Sequence, residues 1–143
     1  MKKKFLAFCM AVTMVSSMAI PVNAANTGDT EYWFKITAAY QKTEAREKTN
    51  TTKVYTYYTE GPAKLAFQTW ASVNDNNNSG TNATVGGTVY LRKGVRYSIT
   101  NKIKEWGYSY AYLRVNSADE SGLGMSAYGV WSPDSSRNYT VSN

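Results

Sequence analysis

The sequence predicts an all-β fold, a small antiparallel β-sandwich or barrel of about eight short strands. Three observations carry that expectation. Alternating apolar and polar segments recur along the chain, turn-forming clusters separate them, and no long stretch follows the 3.6-residue period of a helix. The clearest alternation runs from Tyr108 to Val115. Tyr108, Tyr110, Tyr112 and Arg114 take one parity there, and Ser109, Ala111, Leu113 and Val115 take the other, as in a central antiparallel strand.

Residues 1–24 stand apart from this pattern. Lys2, Lys3 and Lys4 precede an apolar run from Phe5 to Ile20, which ends at Pro21-Val22-Asn23-Ala24, so the segment reads as a secretory signal peptide. Val22 and Ala24 suit the recognition positions for cleavage after Ala24, and a cut after Ala25 is the neighbouring option. The run is too short, and too soon broken by proline, for a transmembrane anchor. Residues 25–143 then form one secreted, extracellular β domain with no transmembrane anchor after processing, expected as a monomer.

Within that domain the elements follow in order. Asn26 to Glu31 is polar and reads as a frayed lead-in. From Tyr32 a strand begins, in which Phe34, Ile36, Ala38 and Tyr40 share a parity. Gln41 to Thr52 is strongly polar. It reads as a wide loop, or as one helical turn carrying a Glu44 to Lys48 pair, with its charges solvated. Lys53 to Thr59 alternates with tyrosines at Tyr55, Tyr57 and Tyr58, until Glu60-Gly61-Pro62 turns the chain.

Lys64 to Val73 is strongly amphipathic, with Leu65, Phe67, Thr69, Ala71 and Val73 in the apolar row and Lys64, Gln68, Trp70 and Ser72 facing away. Asn74 to Gly80 is a polar surface loop. Gly86-Gly87 separates two short strand signals as in a tight hairpin or bulge. Val95 to Thr100, the Tyr108 to Val115 strand, Ala127 to Trp131 and Asn138 to Val141 complete the set, with a turn at Ser132 to Ser135. The expected core is Leu65, Phe67, Ile99, Leu113, Val115 and Trp131.

Composition narrows the chemistry. The leader takes three of the 16 basic residues and none of the 10 acidic ones, leaving 13 against 10. That modest excess is scattered, so no nucleic acid is expected as a partner. The sequence has no histidine, and its single cysteine, Cys9, lies in the leader behind Phe8, where a lipid-modified cysteine needs a small residue. Zinc sites and nucleophile–histidine pairs lose their usual residues, and no cofactor is expected. Asp75 to Gly80 imitates the start of a calcium loop, but Gly86 stands where the closing glutamate belongs, so an Asx-rich turn is the simpler reading.

Aromatic residues are the feature above background. With Leu113 and Val115 facing inward, Tyr108, Tyr110 and Tyr112 form an outward stripe, and Trp70 turns outward from its own strand by the same logic. Tyr55 and Tyr57 are candidates to join them. Such side chains stack on sugars or anchor protein partners. Cross-strand aromatic pairs also simply stabilise antiparallel sheets.

The strand YAYLRVNS, Tyr110 to Ser117, and the closing GVWSPDS, Gly129 to Ser135, behind a basic leader, resemble small secreted proteins of Gram-positive bacteria, including bacteriocins of the lactococcin type and related exported proteins. The resemblance implies a β-sandwich that acts by contact outside the cell, in the bacteriocin case by interfering with cell-wall synthesis. It carries no binding residues over to this chain, which is longer, lacks histidine and has the added Asn74 to Gly80 loop. The functional expectation is a contact-acting binding protein, not an enzyme. Trp70, Tyr108, Tyr110 and Tyr112 are the contact residues, and a cell-wall glycan, a lipid-linked precursor or a surface protein is the target. A small carboxylate-dependent glycoside hydrolase is the alternative, and it would need two of the scattered Asp and Glu residues at a fixed separation. Intact mass of the protein in culture medium checks the leader: the chain is expected to begin at Ala25 or Asn26.

Overall fold

Eleven strands form within residues 25–141, the part of the chain described by the computed structural model; residues 1–24, expected to be a signal peptide, lie outside the described residues. They are β1 (Thr30–Lys35), β2 (Gln41–Lys42), β3 (Arg46–Glu47), β4 (Val54–Glu60), β5 (Lys64–Ser72), β6 (Thr81–Asn82), β7 (Val89–Arg92), β8 (Arg96–Ile99), β9 (Tyr110–Ser117), β10 (Ser126–Ser132) and β11 (Thr140–Val141). One sheet has the order β1-β10-β4-β8-β11. The other is built on the long antiparallel pair of β5 and β9, from Leu65 opposite Ser117 to Ser72 opposite Tyr110. The two pack face to face as a small β-sandwich, as the alternating pattern predicts.

The core follows the parity of the strands. Leu65, Phe67, Leu113, Val115, Ile99 and Trp131 are all fully enclosed. Tyr32, Val54, Tyr58 and Ala127 complete the facing layer. Tyr32 and Tyr58 bury their rings and still satisfy their hydroxyls, one on Thr56 Oγ1 at 3.0 Å and the other on the Pro62 carbonyl. The inward row of β5 ends earlier than its pattern suggests, because the strand stops at Ser72 and leaves Val73 70% exposed. Likewise β1 stops at Lys35, so Ala38 and Tyr40 do not continue the row of Phe34 and Ile36 into the core.

Both edges of the β5–β9 pair are covered by interrupted strands. Gln41 and Lys42 pair with Val115 and Arg114, and Arg46 and Glu47 pair with Ala111 and Tyr110. Gln41 to Thr52 is therefore neither loop nor helical turn over its first half. It is an edge strand broken by a bulge, at which Thr43 takes the Leu113 N–H on its hydroxyl at 2.9 Å. On the far edge, β6 and β7 lie in series along β5 rather than against each other. Gly86 and Gly87, with φ of 85° and 82°, close the excursion between them, which a side chain at either position would strain. The excursion reaches the other sheet through a bridge between Thr84 and Asn101.

The largest departure from the sequence reading concerns Lys48, expected on a solvated face, and Asp134, expected in a surface turn where a carboxylate is normally solvated. Their side chains are 0% exposed and form an ion pair at 3.0 Å. Lys48 Nζ also donates to the carbonyls of Thr52 at 2.6 Å and Pro133 at 2.7 Å. Asp134 Oδ2 accepts from the Thr49 hydroxyl at 2.7 Å, the Thr49 N–H at 3.0 Å and the Asn26 N–H at 2.8 Å. Asn26 is thus fastened rather than frayed, and Arg46 Nη2 holds its side-chain oxygen at 2.8 Å.

Burial by itself raises the Asp134 carboxyl, but the hydrogen bonds from Thr49 and Asn26 and the charge of Lys48 outweigh it and hold the pKa below the ordinary carboxylate value. Folded Asp134 therefore binds a proton less readily than the unfolded chain does. Its contribution is complete above pH of about 4 and is lost as pH falls through the depressed folded value. Urea unfolding from pH 7 down to pH 3 is expected to show that loss. At pH 7, Lys48→Met, which leaves the carboxylate buried without its cation, is expected to lower stability by about 3–5 kcal/mol.

Candidate functional site

The outer face of the β5–β9 pair carries the aromatic residues singled out by parity. Residues directly opposite one another share a face, so Trp70 and Tyr112 stand side by side, as do Gln68 and Arg114 in the next outward row. The rings of Trp70 and Tyr112 lie 6.1 Å apart at a tilt of 36°. Arg114 sits over Trp70 and Tyr40, its guanidinium carbon 4.2 Å from the centre of the Trp70 ring and 4.8 Å from that of Tyr40. One cation is thereby held against two aromatic rings.

Gln68 locks the arrangement. Its Oε1 accepts from Trp70 Nε1 at 2.8 Å, and its Nε2 donates to Thr88 Oγ1 at 2.8 Å and to the Tyr40 hydroxyl at 3.2 Å. The orientation of the Trp70 ring is fixed from both the strand and its neighbours. The polar loop after β5 forms the opposite wall: Asn77 Nδ2 donates to the Thr43 carbonyl at 2.6 Å, and Asn78 Oδ1 accepts from Lys42 Nζ at 2.9 Å. Between loop and sheet lies a groove of about 530 Å³, lined by Tyr40, Lys42, Trp70, Tyr112 and Arg114 with the backbone and side chains of residues 77–80.

The four expected contact residues divide. Trp70 and Tyr112 meet in the groove, Trp70 half-buried and Tyr112 as its floor. Tyr112 is only 2% exposed, so the free outward stripe is corrected here. Loop residues close over it: a Cβ at Gly80 would lie 2.7 Å from the Tyr112 hydroxyl and 2.6 Å from the Ala71 carbonyl. That burial raises the Tyr112 phenol above its usual pKa, against the opposing charge of Arg114. Tyr110 shares the face but lies one row away, opposite Ser72 and Glu47, and does not line the groove. Tyr108 precedes the strand and packs against the core, which removes it from the stripe. Tyr55 and Tyr57 belong to β4 in the other sheet.

Arg114, Tyr40, Lys42 and Gln68 are the members that aromatic parity alone does not single out. Arg114 had a signal, since it shares the parity of Tyr110 and Tyr112. Lys42 had none, because its place depends on the broken edge strand. No Asp or Glu lines the groove, and among the described residues no group of three His, Cys, Asp or Glu stands close enough to hold a metal ion. The arrangement suits binding of a flat or ring-shaped group by stacking and polar contact.

The groove depends on the loop lying flat on Tyr112. Gly80→Ala is expected to lower stability by about 1–3 kcal/mol, because the new methyl meets backbone as well as the phenol and neither side can withdraw freely. Thermal unfolding measures the loss, and Tyr112 is expected to become accessible to surface modification in that variant.

No curated protein and no solved structure matches this chain. The profile of one family does match it, over residues 20–135, a span that includes the groove and the Lys48–Asp134 pair and takes in most of the sequence; the chain belongs to the family described as "Protein of unknown function (DUF2712)".

Proposed function

We propose that the protein is a secreted, contact-acting binding protein, bacteriocin-like in its mode of action, that recognises a saccharide at the cell wall through the groove of Tyr40, Trp70, Tyr112 and Arg114. The observation that carries this reading is the Trp70 ring, presented by the longest strand pair of the fold and held in orientation by Gln68 and Arg114. A pre-oriented indole loses little freedom when a sugar ring stacks on it. The groove is open, and its polar wall of Asn77, Asn78 and Ser79 supplies hydrogen-bonding partners for hydroxyl groups.

Hydrolysis of the same ligand finds less support. Glycoside hydrolysis in its usual form needs two carboxyl groups about 5–9.5 Å apart across the scissile bond. The groove has no carboxylate in its lining, and Asp134, the most enclosed acid of the domain, is committed to Lys48, Thr49 and Asn26.

Sedimentation of the mature protein with Gram-positive cell walls, run beside a growth-inhibition assay, tests the proposal. Wild type is expected to co-sediment, and Trp70→Ala to bind at least about tenfold more weakly with its circular dichroism unchanged. Equal retention of the two proteins would move the contact elsewhere on the surface.

A further inference from the structure

We infer that the ligand is an extended anionic polysaccharide, one that carries repeated phosphate or carboxylate groups and lies along β5 from the groove to the Lys64 end. The inference rests on the binding reading above and specifies the chemistry of its ligand.

Charge placement on the outer face supports it. Lys42 of β2 and Arg114 of β9 are directly opposite one another, so two cations share one cross-strand position. Lys64 of β5 and Arg92 of β7 repeat the arrangement on the same face. Like charges placed opposite each other destabilise an antiparallel pair. Neither pair is separated by an acid in the register: Arg114 is flanked by Lys42 and Gln68, and Lys64 and Arg92 by each other. Asp119 offsets part of the Lys64 charge from beyond the end of β9, and Glu47 stands at the opposite end of the face beside Tyr110. From the Glu47 end, the face between them runs over Trp70, then Arg114 with Lys42, then Lys64 with Arg92.

Arg114 is the most telling member. Tyr40 and Trp70 occupy its two neighbouring aromatic contacts, yet its buried Nε has no hydrogen-bond partner among the described residues. Stacking fixes the guanidinium plane on the groove wall, and a guanidinium held in one plane takes an oxyanion through its terminal N–H groups rather than the enclosed Nε. Lys42, whose ammonium already rests on Asn78 at the rim, adds a second positive charge to the same groove.

The spacing of the two cationic pairs selects a chain over a single small anion. Lys64 and Gln68, the position facing Arg114, are four residues apart on β5, a separation of roughly 13 Å along the strand. One phosphate or carboxylate reaches one pair. A repeating polyanion reaches both, its intervening segment crossing the row of Tyr90, Ala66 and Asn116 while its end at the groove meets Trp70. Tyr90, stacked beneath Lys64 Nζ at 5.0 Å, gives the second pair an aromatic neighbour like that of the first.

Tryptophan-fluorescence titration of the mature protein decides the matter with four probes: a poly(glycerol phosphate) chain, polygalacturonate, neutral dextran and monomeric glycerol phosphate. At least one polyanion is expected to bind about tenfold or more tighter than dextran and than the monomer, and to weaken as salt rises. A preference between the first two identifies phosphate or carboxylate as the charged group. Lys42→Gln, an exposed change that leaves the core untouched, and Lys64→Gln with Arg92→Gln are each expected to erase most of the advantage over dextran, and Arg114→Gln to erase it more fully. Equal binding of dextran and both polyanions overturns the inference while leaving saccharide binding intact. Polyanion binding that all four substitutions leave unchanged overturns it as well. Failure of every probe, with wall sedimentation also negative, overturns both readings.

Discussion

The buried pair of Lys48 and Asp134 is the constraint on which the arrangement of this domain depends. Two charges withdrawn from water are tolerated only if nearly every donor and acceptor around them is used. Here Asp134 gathers the start of the described chain at Asn26, the segment after β3 at Thr49, and the end of β10 through its own backbone. Three stretches far apart in sequence are thereby brought to one point. The position of β3 on the edge of β9 follows from it, since Lys48 leaves that edge to reach the carboxylate and its N–H remains on the Ser109 carbonyl at 2.8 Å.

The groove inherits its geometry from the same edge. With β3 fixed by Lys48 and separated from β2 by the bulge at Thr43, Lys42 falls opposite Arg114 and Tyr40 comes over the guanidinium. The charge network at one end of the sandwich and the stacked aromatic array on its outer face are thus consecutive features of a single edge segment, residues 40–49. A core made of Leu65, Phe67, Leu113 and Val115 gives that segment a rigid surface to lie on.

Much of this was legible in the sequence, and the boundary between what was and was not is physical. Period-two alternation reports which side of a strand is wet, so the inward rows of β5 and β9 and the burial of Trp131 could be read directly. The same alternation placed Trp70, Tyr112 and Arg114 on one face. It could not say that the polar loop ending at Gly80 folds back over Tyr112, because asparagine-rich loops look alike whether or not they cover something. Lys48 and Asp134 were misread for a related reason. A charged residue in a polar run is usually solvated, and its burial arises from partners 86 positions away that no local pattern records.

That separation has a consequence for the order of events in folding. A contact joining residue 48 to residue 134 spans most of the chain, and β10, which lies between β1 and β4, is also among the last elements made. Strands β1 and β4 have no hydrogen-bonded neighbour between them until β10 arrives. A nascent chain that has not yet emerged as far as Ser132 therefore lacks the middle of one sheet as well as the anion that neutralises Lys48. High contact order of this kind delays closure until β10 and Asp134 are available. Residues up to Met125 hold one sheet without the strand that joins β1 to β4, and the sandwich closes only when the segment from Ser126 to Asp134 joins it.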